Sequence, residues 1–395
     1  MDKRIIKVEP LDFATLQDAE LEWFALDENE EYLIDEFLTI QPSEVDAFRD
    51  ATKDLYQLAI DAAFHVASNK EWEAMGIPPE AIQLVRYSLK KELGMHLVGR
   101  FDFAGGLDDV SLKLIEFNAD TCSLMPETEI IQETHWEQEQ DFLPGSPYNP
   151  LQEGLVRRFK AILERYPDKE PNLLISTMGH QEDWLNAEII EDAALEAGFE
   201  TVECAALEQV IFAPEEGIFL EMEEEEYDRF DFWYKFIPWD FIIEEEPNLF
   251  QILDSIVRNG LGVVLNPAYT MLLQSKALLK FMYDLSPEHP FLLKASLDNK
   301  DFPDQKFVRK PINGRMGENI SFYDGSDQPT YKTEGDYAAS PPLYQELAPF
   351  NIDMEGHRYQ PSIFWTGEPS GLCFRRQDDL IIDDDAEFVG HVVEE

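Results

Sequence analysis

Along residues 112–123, "LKLIEFNADTCS", polar and apolar positions alternate in a way unusual for an ordinary strand. Leu114, Glu116, Asn118 and Asp120 fall on one face at period two, and Lys113, Ile115, Phe117 and Ala119 on the other. Just upstream, "GRFDF" places Arg100 and Asp102 opposite Phe101 and Phe103, so residues 96–120 predict a β-hairpin with a longer Gly-Gly and Asp-rich connection. The first 95 residues read mostly helical. In 43–68, apolar residues recur at three- and four-residue spacing behind a capping Ser43 and an early Glu44. Residues 172–203 read strand, loop, amphipathic helix, strand, and "FDFWYKFIPWDFI" at 230–242 continues that alternation, predicting an α/β unit. After 266–285, strand and turn signals run to the C-terminus. There is no internal repeat, and the Pro-rich "DFLPGSPYNP" at 141–150 is the best internal boundary.

Composition narrows the function classes. The 395 residues, 44% hydrophobic and 12% aromatic, suffice for two or three packed layers or subdomains. Cys122, Cys204 and Cys373 form no C-x-x-C pair, which argues against a disulfide framework or a cysteine zinc site and for a reducing compartment. No window approaches the roughly 18 consecutive apolar residues of a membrane span, so a soluble, cytoplasmic protein is expected. The formal charge of −50, from 81 acidic and 31 basic residues, argues against a nucleic-acid partner and would draw in a cationic small molecule. The acidic runs at 221–228, 244–246 and 383–385 read as solvated loops and helix faces.

Four stretches could carry chemistry. Asp102, Glu116 and Asn118 can converge across the hairpin; they offer the hard oxygen ligands that Mg²⁺ takes, or simply form the solvated face of a sheet. "KFVRKPINGRMGENISFYD" (306–324) puts Arg309, Lys310 and Arg315 within seven residues of a chain poor in base, beside Gly314 and Gly317. That suits a phosphate-cradling loop or a plain β-turn, and it is not a Walker A sequence. "SPPLYQELAPF" (340–350) is a strand whose Gln345, Glu346 and Leu347 could meet an adenine edge. Arg375 and Arg376 are either site cations or a surface ion pair. Cys122 reads as a small residue in a turn.

Together "RFDF", "KLIEFNADT", "SKALL", "FVRKPINGRMGENI", "LYQELAPF" and "GLCFRRQDDLIIDDDAEFVGHVV" resemble the synthetase domain of the glutathionylspermidine synthetase family and its stand-alone bacterial relatives, in the family's order from Arg100 to the C-terminus. The resemblance implies an α/β (α+β) ATP-grasp fold with the nucleotide between two antiparallel sheets, an additional α/β subdomain and a helical N-terminal region. It implies ATP and two Mg²⁺ ions as cofactors, with an acyl phosphate attacked by an amine to give an amide. By motif, Asp102, Glu116 and Asn118 would hold metal and Arg100 would face the transferring phosphoryl group. Lys276 and Lys310 would meet nucleotide phosphates, the loop of Gly314, Arg315 and Gly317 would close over them, and Gln345, Glu346 and Leu347 would meet the adenine. Arg375 would lie near the acyl phosphate, and Thr121 and Ser123 near the acid substrate. Met316 and the residues around Arg375 depart from the family's usual pattern.

The expected organisation is a helical scaffold at 1–95, a metal-binding hairpin at 96–150, an α/β subdomain at 151–265 and a nucleotide-binding region at 266–395, without the amidase domain of bifunctional relatives. The expected function is an ATP-dependent acid–amine ligase acting on a small-molecule carboxylate and an amine, in the manner of a peptide and a polyamine. The alternatives are a catalytically silent ATP-binding module and a kinase that stops at a phosphorylated product.

Overall fold

A computed structural model describes residues 1–18, 21–25, 32–223, 225–383 and 385–394. Glu224 and Asp384, members of two of the acidic runs, lie outside the described residues.

The predicted hairpin forms, as strands Gly99–Ala104 and Lys113–Asn118. It ends a path of seven hydrogen-bonded strands within a nine-stranded sheet. Inward from the hairpin, the path runs through Arg358–Trp365, Pro369–Gln377, Glu387–Glu394, Leu33–Ile40 and Ile5–Lys7. Every pairing in this sheet is antiparallel except Leu33–Ile40 with Glu387–Glu394. The mostly helical N-terminal region thus also supplies two strands, because the run Phe37 to Ile40 is buried on consecutive positions, as an interior strand requires.

Strict period two fails at one point in the hairpin. Asp102 pairs with Glu116, but Phe103 pairs with Leu114, leaving Ile115 as a bulge residue. The bulge sends Leu114 into the core with Phe101 and Phe103. Glu116 and Asn118 keep the polar face; Asp120 has already left the strand.

The long helix runs Pro42–Asn69. Its N-cap is Gln41 rather than Ser43, because Pro42 fits the first helical position and needs no N–H partner. Glu44 closes the cap, its carboxylate accepting from the Gln41 backbone N–H at 2.9 Å. The apolar stripe Val45, Phe48, Leu55, Ala59, Ala62 and Val66 is buried at helical spacing, with Phe48 against Phe103 and Phe374 of the large sheet.

The α/β unit is a four-stranded sheet ordered Val263–Leu265, Phe232–Lys235, Asn172–Thr177, Thr201–Ala206, parallel throughout. A five-stranded antiparallel sheet follows, ordered Ala295–Ser296, Pro342–Gln345, Lys306–Pro311, Ser321–Asp324, Tyr331–Lys332. It touches the hairpin at the bulge. Lys310 Nζ donates to the Ile115 carbonyl at 3.0 Å and Gln345 Nε2 to the Leu114 carbonyl at 3.2 Å. Among the described residues no helix is long and apolar enough to cross a membrane.

A buried polar knot fixes the hairpin against the parallel sheet. The Asp120 carboxylate accepts from Lys235 Nζ at 2.6 Å, from the Trp239 backbone N–H at 2.9 Å and from Thr270 Oγ1 at 3.1 Å. Asn266 braces the same turn, donating to the carbonyls of Val98 and Asp120 and accepting from the backbone N–H of Leu97. Removing one partner of a buried ion pair leaves the other charge uncompensated, at a cost of roughly 3–5 kcal/mol. Asp120→Ala should therefore lower stability by about that much in a urea titration, and a loss below about 1 kcal/mol would contradict this role.

Candidate functional site

The hairpin brings the three oxygen-bearing side chains together, unequally. Asp102 is fully buried beneath Arg100, whose Nε and Nη2 donate to its two carboxylate oxygens at 2.8 and 3.0 Å. Arg100 Nη1 donates to the Ser123 carbonyl at 2.8 Å. Burial alone would make this guanidinium easier to deprotonate, but the adjacent Asp102 charge more than offsets it and keeps it protonated. Asn118 Nδ2 lies 2.8 Å from Asp102 Oδ2 and 3.5 Å from Glu116 Oε1. Among the described residues no three His, Cys, Asp or Glu side chains converge; the trio exists only when the amide of Asn118 is counted.

Glu116 joins two adjoining cavities. Burial favours its neutral form, yet the charges of Lys276 and Lys310 hold the carboxyl down at about 2, so it stays ionised. Lys276, in the turn between helices Thr270–Gln274 and Leu278–Leu285, sets Nζ 2.9 Å from Glu116 Oε2 and donates to the Gly314 carbonyl at 2.7 Å. Lys310 is buried, and desolvation brings its ammonium down to about 8 despite Glu116. The larger share of the first cavity's wall is apolar: Ile115, Val308, Ile320, Phe322, Ala348 and Phe350 line it with Lys310, Gln345 and Glu346. Leu347 does not line it, and neither does Arg309.

The glycine loop roofs both cavities. Met316, Gly317 and Asn319 all take left-handed backbone, at φ of 55°, 68° and 53°. At Gly317 a Cβ would also stand 2.6 Å from Asp383 Cβ, so only glycine lets the loop approach the 380s segment. Arg315 makes a two-pronged ion pair with Asp240 at 2.8 and 2.9 Å and lies over the Phe241 ring. The sequence had suggested Arg315 for a nucleotide; here a partner from the α/β unit holds it.

The second cavity is polar. It is lined by Arg100, Asn118, Thr121, Ser123 and Arg375, and shares Glu116, Lys276, Arg315 and Gly317 with the first. The two late arginines separate clearly. Arg376 is engaged by Glu36 and Glu387, whereas Arg375 faces the cavity and its Nε has no partner among the described residues. Cys122 is buried and its thiol is pushed up to about 12 by burial, so it is no nucleophile.

Two residues escaped sequence reasoning. Gln274 lies between helix and hairpin, its Oε1 accepting from the backbone N–H of Ala119 and Asp120 at 2.7 and 3.0 Å. Glu127 starts a π-helical turn, accepts from Tyr32 Oη at 2.5 Å and leaves Oε2 without a partner among the described residues. Burial raises its carboxyl to about 7. In sequence, Gln274 looks like any helix end and Glu127 like any first-turn acid.

The family described as glutathionylspermidine synthase preATP-grasp matches residues 3–394. A Haemophilus influenzae protein provisionally named an acid–amine ligase is 25% identical over 358 residues, covering 88% of this chain and 87% of that protein. The Escherichia coli bifunctional glutathionylspermidine synthetase/amidase is 26% identical over 367 residues, and the Crithidia fasciculata glutathionylspermidine synthase 28% identical over 315. The chain spans only 57% and 42% of the length of those two relatives. Among solved structures, a glutathione synthetase-like effector from Globodera pallida in its apo form superposes with a TM-score of 0.57 at 12% identity, over 98% of both chains, a likeness of fold.

The position of Lys310 sets a pH dependence. Its ammonium is charged below about 8 and neutral above, so an anion drawn to it is held at the lower pH. Affinity for a non-hydrolysable ATP analogue with Mg²⁺ should fall roughly tenfold between pH 7 and pH 9. Lys310→Arg, which keeps its charge throughout, should flatten that profile; calorimetric titration at both pH values decides it.

Proposed function

The chain belongs to the glutathionylspermidine synthase preATP-grasp family, and on that premise we propose that it is an ATP-dependent carboxylate–amine ligase working through an acyl phosphate. The observation that carries this reading is the pair of adjoining cavities sharing Glu116 and Lys276, one largely apolar with two buried lysines, the other lined by Arg100, Arg375, Thr121 and Ser123. The first has the walls a nucleotide base and its phosphates need, between the hairpin and the five-stranded sheet. The second has the cations and hydroxyls that an acid substrate needs.

In the proposed reaction a carboxylate oxygen attacks the γ-phosphorus of ATP and ADP leaves, giving an acyl phosphate. The nitrogen of an unprotonated amine then attacks the acyl carbon, the carbon–oxygen bond to phosphate breaks, and phosphate leaves. Starting from an ammonium, nitrogen releases two protons over the sequence. Both steps crowd negative charge, so fixed cations are the main resource. Arg100, oriented by Asp102, and Arg375, whose Nε has no partner among the described residues, flank the second cavity, while Lys276 and Lys310 would neutralise nucleotide phosphates.

Asp102, Glu116 and Asn118 carry the hard oxygens that Mg²⁺ takes, with the Asn118 amide nitrogen in reach of both carboxylates and Glu116 ionised; Asp102, buried under Arg100, lines neither cavity, so Glu116 and Asn118 are the two that face the open space. When bound, the metal would supply charge neutralisation between the phosphates. The relatives' names point to a peptide as the acid and a polyamine as the amine. Those names, all ligases or synthetases, also disfavour the silent-module alternative.

ADP release from Mg-ATP should require both pooled peptides and pooled polyamines and give a condensation mass in the mass spectrometer. ATP binding without turnover in any combination would overturn the ligase reading. Asp102→Ala would strand the buried Arg100 charge, so the cleaner variants are Lys310→Ala and Asp102→Asn, each expected to cut ADP formation by roughly 10²-fold or more with the fold intact by circular dichroism.

A further inference from the structure

The boundary between the two adjoining cavities crosses the large sheet, and two neighbouring side chains stand on either side of it. Gln360, on strand Arg358–Trp365, lines the largely apolar cavity, and Arg375, on strand Pro369–Gln377, lines the polar one. The two residues are direct antiparallel partners, so their side chains leave the same face of the sheet with Cβ atoms roughly 5 Å apart. Each offers a buried N–H that no described residue completes. Gln360 is 4% exposed and its Nε2 has no hydrogen-bond partner among the described residues, nor has Arg375 Nε. The other buried side-chain nitrogens in that condition, on Arg49, Trp365 and His391, line neither cavity. Buried donors are nearly always paired, and one left open costs free energy unless something outside the protein completes it.

Both open donors need an acceptor, and the cations around them say which kind. Lys276 belongs to both cavities and Lys310 to the first, so the acceptor is an anion. Gln345 and Glu346, the expected adenine contacts, line the first cavity from the end of strand Pro342–Gln345 in the five-stranded sheet, whereas Gln360 reaches it from the large sheet beside Arg375. In the ligase reading one group passes from the first cavity to the second. That is the γ-phosphoryl group, whose oxygens only accept. We infer that Gln360 contacts the transferred phosphoryl group, its Nε2 donating to a non-bridging γ-oxygen from the nucleotide side while Arg375 meets the same group from the acid side.

The inference rests on the ligase reading and adds to it a residue without charge. During transfer the bond from the acid's carboxylate oxygen to γ-phosphorus forms, and the bond from γ-phosphorus to the bridging oxygen breaks with its electron pair left on ADP. Gln360 gives and takes no proton; it fixes the position of the group in flight. A neutral amide suits this place. A cation directly opposite Arg375 would repel it, and a carboxylate would repel the phosphate.

The test is calorimetric titration of the full chain with Mg²⁺ and either a non-hydrolysable ATP analogue or ADP, comparing wild type with Gln360→Met, which keeps the length and loses the donor, and with Gln360→Leu. Affinity for the ATP analogue should fall roughly tenfold in both variants, the usual worth of one hydrogen bond to a charged group, while affinity for ADP stays within about twofold of wild type. A change in cavity shape alone would weaken both nucleotides together. Gln360→Asn, with its donor on a shorter arm, should keep part of the preference for the ATP analogue over ADP. A loss shared equally by ADP would put Gln360 on the base, the ribose or the first two phosphates and overturn the assignment, as would unchanged affinity for both nucleotides. Those two outcomes leave the ligase reading standing, whereas a wild type that binds neither nucleotide removes both.

Discussion

The buried carboxylate of Asp120 is the constraint on which the site's geometry depends. It receives a lysine from the parallel sheet, a backbone N–H from the start of helix Trp239–Glu245 and a hydroxyl from helix Thr270–Gln274. Three chain segments far apart in sequence, at Asp120, at 235–239 and at Thr270, therefore meet at one side chain, two residues beyond Asn118. Because a buried ion pair holds its geometry only when every remaining lone pair and proton is satisfied, the hydrogen bonds to Trp239 and Thr270 matter as much as the pair itself. The same turn is gripped by Gln274 through two backbone N–H groups and by Asn266 through the Asp120 carbonyl. Asn118 and Glu116 are thereby presented from a rigid end rather than from a loose strand terminus.

A second regularity is self-neutralisation. Lys276 rests on Glu116, Lys310 on a carbonyl, Arg100 on Asp102 and Arg315 on Asp240. Clustered cations would repel one another in a low-dielectric setting, so each needs a local partner. Arg375 is the exception, with one weak 3.4 Å contact to the Asp383 carbonyl and an Nε unpartnered among the described residues. A cation already facing an open cavity needs no partner exchange before it meets a ligand.

Much of this was legible in the sequence where periodicity and chemistry agree. The hairpin, the long helix and the α/β unit follow from patterns that local sterics enforce, and Asp102, Glu116 and Asn118 lie adjacent because strand pairing makes them so. What pattern could not supply was anything decided by tertiary pairing. The bulge at Ile115, which swaps the faces of Leu114 and Ile115, leaves no mark on a period-two reading. The cap at Gln41 was hidden by a better capping residue two positions on. That Arg376 is tied down and Arg375 is not depends on Glu36, some 340 residues away in the chain.

The charge of the surface and the charge of the site are separate physical problems. The acidic run at 221–228 sits on strands Gly217–Glu223 and Glu226–Phe230 of a three-stranded sheet, and none of its described residues lines any of the three cavities around Arg315. Exposed charges act weakly beyond a screening length of about 8 Å at physiological salt, whereas buried ones are screened far less. A strongly acidic exterior can thus coexist with an anion site provided the cations are buried, as Lys310 and Arg100 are, and each is matched at close range. The exterior still counts where a cavity wall carries exposed carboxylates, as Glu80 and Glu244 are in the cavity on the far side of Gln274. The chain in this way carries opposite local charge on the two sides of Gln274, buried cations on one and exposed carboxylates on the other.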